Sequence, residues 1–308
     1  MYPEIHIGNL TIYSYSLMIA IGVLFGMIYA NYFVVKPEKI SGATTLRLLL
    51  VFIAGGASMY LGALFFDSLF HSIEEGELVF GGITWLGGVV TSFPITILLI
   101  HKYVPVAKGR ALYTLSLFIP SIVLAHAFGR VGCFLAGCCY GKETTSALGV
   151  IFPGMTTPHL PTQLFEALFE LLLFALMVAV KKKYKGHELE MYLYFYSIFR
   201  FILEFYRGDD RGSSGLFLSP AQFLDIICLV SAILISLFYR QKVFKKLYQK
   251  CLIWIDEVER NYKKKKNYIE LTQSPESRIR ELFEMKEKGI ITEDEFTKKK
   301  TQLLKKIY

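Results

Sequence analysis

Apolar residues in this sequence fall in blocks of about 20, the length at which a helix crosses the roughly 30 Å of bilayer hydrocarbon. Seven blocks are legible: Ile12–Val34, Thr45–Leu69, Val79–Ile100, Ala111–Cys133, Thr162–Val180, Met191–Tyr206 and Ala221–Tyr239. A soluble domain also contains many apolar residues but scatters them by period; here the 53% hydrophobic content of 308 residues is concentrated in the blocks. Backbone in hydrocarbon must satisfy its own hydrogen bonds, which favours helices. The expected fold is therefore all-α: a polytopic membrane protein of seven transmembrane helices plus a small cytoplasmic helical hairpin. The net charge of +8 does not point to nucleic acid, because the basic residues sit in loops and in the tail. Residues 1–10 lack the pattern of a cleavable signal peptide, and five cysteines, three of them clustered, do not make a disulfide framework.

Loop charge orients the spans. Lys36, Lys39 and Arg47 follow the first, and Lys102, Lys108 and Arg110 the third. Lys181–Lys183 and Lys185 follow the fifth, and Arg240, Lys242, Lys245 and Lys246 the seventh. The alternate loops are acidic or balanced: Glu74, Glu75 and Glu77 in one, Asp209 and Asp210 against Arg207 and Arg211 in another. Positive loops stay inside, so the N-terminus is expected outside and the C-terminus in the cytoplasm.

Beyond the membrane domain (1–240), a basic segment with interleaved apolar residues and a linker (241–275) suggests an amphipathic helix on the inner surface. In residues 276–308, Gly289 is placed to close one helix. Thr292 and Glu295 form a capping box for a second. Leu282, Lys286, Gly289-Ile-Ile-Thr292, Glu295-Phe296 and Leu303-Leu304 resemble the short C-terminal module called SHOCT. That resemblance implies self-association or docking rather than chemistry.

The stretch from His126 to Lys142, HAFGRVGCFLAGCCYGK, ends an apolar run yet carries a histidine, an arginine, four glycines and three cysteines. Other polar residues gather in the spans: Arg200 and Glu204 four apart on the sixth, Glu166 and Glu170 four apart on the fifth after Gln163, Gln222 and Asp225 on the seventh, and Tyr13 and Tyr15 on the first. All but Glu170 and Asp225 belong to the outer half of the bilayer under this topology. A structural ion pair explains any one couple; the charges gathered at one level imply a water-accessible cavity between helices. Two arginines in such a cavity suit a phosphate, which a guanidinium binds in bidentate fashion, and a phospholipid headgroup is the natural ligand at that depth. Gly55-Gly56, Gly81-Gly82, Gly87-Gly88, Gly129 and Gly132 offer close helix approach or room for a ligand.

Together these motifs resemble the bacterial prolipoprotein diacylglyceryl transferase family, over roughly Ile12 to Leu237. Its Gly-Arg-x-Gly-Asn-Phe signature appears as Gly129-Arg130-Val131-Gly132-Cys133-Phe134, and its Pro-x-Gln-Leu-Tyr-Glu motif as Pro161 to Glu166. Its Arg-x-x-x-Glu-Phe-x-Arg motif spans Arg200 to Arg207, and its first-span tyrosine matches Tyr15-Ser16-Leu17-Met18. The resemblance implies a transferase that moves the diacylglyceryl group of phosphatidylglycerol onto the lipobox cysteine of prolipoprotein signal peptides. It implies that Arg130 and Arg200 hold the phosphate, that Glu204 orients Arg200, and that Tyr15 contacts the headgroup, with Gly129, Gly132, Gln163, Glu166 and Arg207 completing the binding site. Four positions depart: Leu86 and Leu160 replace family histidines, and Cys133 and Cys138 replace an asparagine and a glutamate. His126, Cys133 and Cys138 are this chain's own candidates for the missing acid–base chemistry. A histidine beside three cysteines is a zinc-type set, but the adjacent Cys138 and Cys139 argue against a shared ion, so no metal and no cofactor is expected. Two other readings stay open: a related transferase with a different acceptor, built on His126 and the cysteines, and a non-catalytic membrane scaffold.

Overall fold

The computed structural model describes residues 3–8, 10–80, 82–209, 213–240, 242–273 and 275–304. Gly81, Asp210 and Arg211 lie outside the described residues. The chain divides into two compact units, Met1–Gln241 and Lys242–Tyr308.

The first unit opens with an antiparallel hairpin that the span pattern did not anticipate, β1 (Glu4–Ile7) and β2 (Leu10–Tyr13), registered Glu4 to Tyr13. Gly8 supplies the left-handed backbone of the turn (φ +59°). Ile12 and Tyr13, assigned above to the first span, are therefore strand residues, and helix α1 covers Ser14–Ala30, continued by a π turn at Asn31–Val35. Helix α2 (Gly42–Glu75) starts where the Ser41 hydroxyl accepts from the Thr44 N–H at 3.3 Å, and stops at Gly76 in the left-handed region. Helices α3 (Trp85–Tyr103), α4 (Ala111–Ala136), α5 (Thr162–Tyr184), α6 (Glu188–Leu203) and α7 (Pro220–Arg240) follow. Among the described residues, six helices are long and apolar enough to cross a membrane; α6, with 16 residues and acids in its first turn, is not among them.

Helix α3 begins six residues later than the apolar block. Asp67, a buried residue of α2 that no motif singled out, holds the preceding segment instead: its carboxylate accepts from the Gly82 N–H at 2.8 Å and the Thr84 hydroxyl at 3.2 Å.

Helix α4 is the axis of the unit, packed against α1, α3, α5 and α6. Small residues set its contact with α1: a Cβ at Gly22 or Gly26 would stand 2.8 Å from the carbonyl oxygen of Ala125 or Ser121. Across α2 and α3, Gly55 meets Thr96, Gly87 meets Phe66 and Gly88 meets the Met59 carbonyl. These glycines serve helix contact, where dispersion between close backbones drives association in lipid, rather than loosening the cavity.

In the second unit, α8 runs unbroken from Lys242 to Gln273 and α9 begins at Pro275, so the expected linker is largely helical. Between α9 (Pro275–Glu287) and α10 (Glu293–Leu304), Gly289 adopts φ +68°. The Glu295 carboxylate accepts from the Thr292 N–H at 3.0 Å while the Thr292 hydroxyl accepts from the Glu295 N–H at 3.3 Å. Phe283 and Phe296 meet edge to face at 6.0 Å beneath Lys286.

Candidate active site

Three helices deliver a buried polar cluster. Helix α4 presents His126 and Arg130 on successive turns, α5 presents Glu166 and Glu170, and α6 presents Tyr196 and Arg200. Arg130 Nη2 lies 2.9 Å from Glu166 Oε1, which also accepts from the Tyr196 hydroxyl at 2.7 Å. His126 Nδ1 lies 2.7 Å from Glu170 Oε1. Because α4 and α5 are antiparallel, the two i,i+4 pairs match as rungs: His126 meets Glu170 and Arg130 meets Glu166. Both carboxylates are 0% exposed. A lone charge at a bilayer centre costs about 2.5–3.5 kcal/mol on insertion scales, so the rungs are what make four ionisable groups tolerable there.

A third pair extends the cluster. Arg200 Nη1 contacts Glu204 Oε2 at 2.5 Å, and the Ser219 hydroxyl donates to Glu204 Oε1 at 3.0 Å. Arg200 also interacts electrostatically with Glu166 and with Asp225, which is fully buried. The cluster therefore includes Glu170 and Asp225, which the topology alone set apart.

The imidazole of His126 is fixed on both sides. Its ring stacks on Trp85 (centroids 3.8 Å, 12° between planes) and meets Tyr196 edge to face at 5.5 Å. Trp85 is itself anchored by an indole N–H donated to Tyr192 at 3.1 Å. With Nδ1 turned to Glu170, Nε2 is buried without a hydrogen-bond partner among the described residues. Leu86, where the family pattern has histidine, is buried in the apolar core. Its neighbour Trp85 brings the His126 imidazole to the same end of α3.

Past α4, Gly137 (φ +79°) reverses the chain and Cys139 adopts φ +65°, which few residues other than glycine do. The sulfurs of Cys133, Cys138 and Cys139 come within 4.8 Å of one another. The start of α5 fixes this loop: Gln163 donates to the Cys138 carbonyl at 2.5 Å and Thr162 to the Cys139 carbonyl at 3.0 Å. Hydrogen bonds from Cys133 and Cys138 hold the Cys139 thiol well below its ordinary range against the opposing effect of burial. At Cys138 the contact with Cys133 acts downward, but the hydrogen bond with Cys139 and burial together push the thiol up to about 11.

Among the remaining expected binders, Gln163 faces the cysteine loop, and Arg207 makes a bidentate pair with Asp209 (2.8 and 2.6 Å). Gly141 and Lys142 then pair with the backbone of 206–208: the Lys142 N–H donates to the Tyr206 carbonyl at 2.8 Å, and the Gly208 N–H to the Tyr140 carbonyl at 3.3 Å. Tyr15 lies on Gly132, where a Cβ would stand 3.2 Å from its ring and 3.1 Å from Met18. Gly129 differs. It shares a helical row with Ala125 and Gly132, both of which touch α1, yet a Cβ there would meet nothing within 4 Å. Open space therefore lies at Gly129, the residue before Arg130 on α4.

The prolipoprotein diacylglyceryl transferase profile matches residues 4–238, and the short C-terminal domain profile matches residues 277–304. The phosphatidylglycerol–prolipoprotein diacylglyceryl transferase 2 of Clostridium perfringens is 37% identical over 250 residues, 74% of this chain and 91% of that protein. The corresponding Clostridium tetani enzyme is 31% identical over 246 residues (74% and 93%), and that of Dehalococcoides mccartyi 30% over 257 residues (78% and 94%).

Proposed function

The chain belongs to the prolipoprotein diacylglyceryl transferase family, and from that premise we propose how its buried cluster performs the family's reaction. It is a transferase that moves the diacylglyceryl group of phosphatidylglycerol onto the lipobox cysteine of a prolipoprotein, and the scaffold reading is set aside. The observation that carries the mechanism is the pair of rungs, His126–Glu170 and Arg130–Glu166, beside Arg200–Glu204.

The headgroup phosphate enters through the gap at Gly129, with Tyr15 at its edge, and engages Arg130 and Arg200. Glu166 and Glu204 hold the two guanidiniums in place, so little reorganisation accompanies binding. His126, oriented by Glu170, accepts the proton of the incoming thiol at Nε2. The thiolate attacks the glyceryl carbon bonded to the phosphate oxygen: a C–S bond forms, the C–O bond breaks, and its electron pair leaves with glycerol phosphate. Arg130 and Arg200 stabilise the charge growing on that leaving group. Gln163 and Arg207 act as positioning residues for the cysteine loop and the 206–209 segment.

Topologically, α6 is the sixth of seven spans, because the Lys181–Lys185 cluster before it belongs inside and the balanced segment after it belongs outside. The N-terminus lies outside, the C-terminus in the cytoplasm of the bacterial cell, and the C-terminal hairpin supports self-association or docking.

Vesicles containing head-labelled phosphatidylglycerol and a lipobox peptide test the mechanism. Arg130→Ala and Arg200→Ala should abolish release of labelled glycerol phosphate from folded protein, and His126→Ala should slow it by roughly 10²–10⁴. Wild-type release by Arg130→Ala would refute the assignment.

A further inference from the structure

Cys133, Cys138 and Cys139 have no part in the mechanism above, yet they form the one group of three or more potential metal-ligating side chains among the described residues. Adjacent cysteines usually point apart, which is why the sequence spoke against a shared ion. Here the left-handed backbone at Cys139 turns its side chain to the same side as that of Cys138, and Gly137 folds both back onto Cys133 at the end of α4. Three sulfurs around a tetrahedral ion with bonds of about 2.3 Å stand about 3.8 Å apart; here they lie within 4.8 Å, so a closure of about 1 Å completes the set. Arg207 and Arg130 interact electrostatically with Cys139 and oppose the net negative charge that three thiolates give a divalent ion. Cys138 is exposed, so an ion can reach the cluster.

We propose that these three cysteines bind a thiophilic divalent cation of the zinc class, and that its fourth position takes the acceptor thiol. A site with three protein ligands and one open position is the arrangement of catalytic rather than structural zinc, and a coordinated thiol is held as thiolate. Cys133 is three residues beyond Arg130, so a thiol bound at the cluster sits about one helical turn, roughly 5 Å, along α4 from the guanidinium that holds the phosphate. This role rests on the transferase reading. As the acceptor coordinates, its S–H proton leaves to water at the exposed Cys138, the bound sulfur forms the C–S bond, and the glyceryl C–O bond breaks with its electron pair leaving on glycerol phosphate. The ion changes no oxidation state. Such a site supplies at the acceptor what Leu86 and Cys138 remove from the family pattern.

The test uses purified full-length protein and zinc or cobalt(II) alone. Zinc should bind at one ion per chain, cobalt should give thiolate charge-transfer absorption, and both should be lost in Cys133→Ser and Cys139→Ser. Wild-type alkylation provides a second readout that does not depend on those variants folding: zinc should abolish labelling of Cys138 while leaving Cys251, also exposed, unchanged. A lipobox peptide should then alter the cobalt spectrum, and its serine analogue should not. Metal-independent labelling of Cys138 with no cobalt band overturns the site; a cobalt site blind to the peptide thiol overturns its acceptor role. Neither readout needs turnover, so chelator-insensitive transfer without bound metal would overturn this inference and leave the transferase reading standing, while bound metal without any transfer would leave the ion site standing and overturn the transferase reading together with the acceptor role.

Discussion

Gly129→Ala separates what the fold needs from what the ligand needs. Glycine in a helix interior costs about 1 kcal/mol relative to alanine. At Gly129 no packing repays that cost, since an added Cβ meets nothing within 4 Å. The variant should therefore gain up to about 1 kcal/mol, a rise of roughly 2–4 °C in thermal midpoint for a unit of this size. If phosphatidylglycerol enters beside Arg130, the added methyl group intrudes on it, and overpacking of one methyl costs about 1–3 kcal/mol. That corresponds to a loss of roughly 5- to 150-fold in kcat/KM. Gly132→Ala is the control: its Cβ would press on Tyr15 at 3.2 Å and Met18 at 3.1 Å, so stability should fall along with activity. Thermal unfolding in detergent and initial rates of glycerol phosphate release measure both. A Gly129→Ala protein that is more stable and fully active would refute the entry of ligand at this gap; one that is less stable would refute the gap itself.

Glu166→Gln should be the most destabilising substitution in the cluster, by about 3–5 kcal/mol, because it strands a buried guanidinium. Tyr196→Phe removes one hydrogen bond to the same carboxylate and should cost about 1.5–3 kcal/mol; a reversed ranking in thermal unfolding would contradict the central role of Glu166. In the tail, hydrogen bonds from Thr292 lower the Glu295 carboxyl. A carboxyl lowered on folding stabilises above its unfolded value and loses that contribution as pH falls. The helicity of residues 276–308 should thus drop on acidification through the carboxylate range, and Thr292→Ala should remove that dependence. A membrane-impermeant maleimide should label an engineered Glu77→Cys in intact cells and reach Cys251 only after permeabilisation; the opposite pattern would invert the topology.

Much of the site is legible before any coordinates. The i,i+4 pairs on two successive spans, His126 with Arg130 and Glu166 with Glu170, already specify antiparallel rungs once α4 and α5 are taken as neighbours. Arg200 and Glu204 pair as their spacing demands. The glycines were only half readable, because helix contact and room for ligand leave the same residue type: Gly22 and Gly88 touch backbone, whereas Gly129 touches nothing. Trp85 and Tyr196 passed as ordinary apolar residues, since stacking on His126 depends on which faces α3 and α6 present. The hairpin at β1–β2 was hidden because Ile12 and Tyr13 serve a strand and a membrane span equally well. Asp67 carried no motif because its partners, the Gly82 N–H and the Thr84 hydroxyl, lie fifteen and seventeen residues away. Arg207 matched a binding motif, yet its fork closes on Asp209 two residues on.

The most direct test of the account is mass spectrometry of a lipobox peptide incubated with purified protein and phosphatidylglycerol, wild type beside Arg130→Ala. The account predicts a diacylglyceryl thioether on the peptide cysteine, equimolar with released glycerol phosphate, and neither product from the folded variant. Unmodified peptide and intact phospholipid with folded wild-type protein would contradict it.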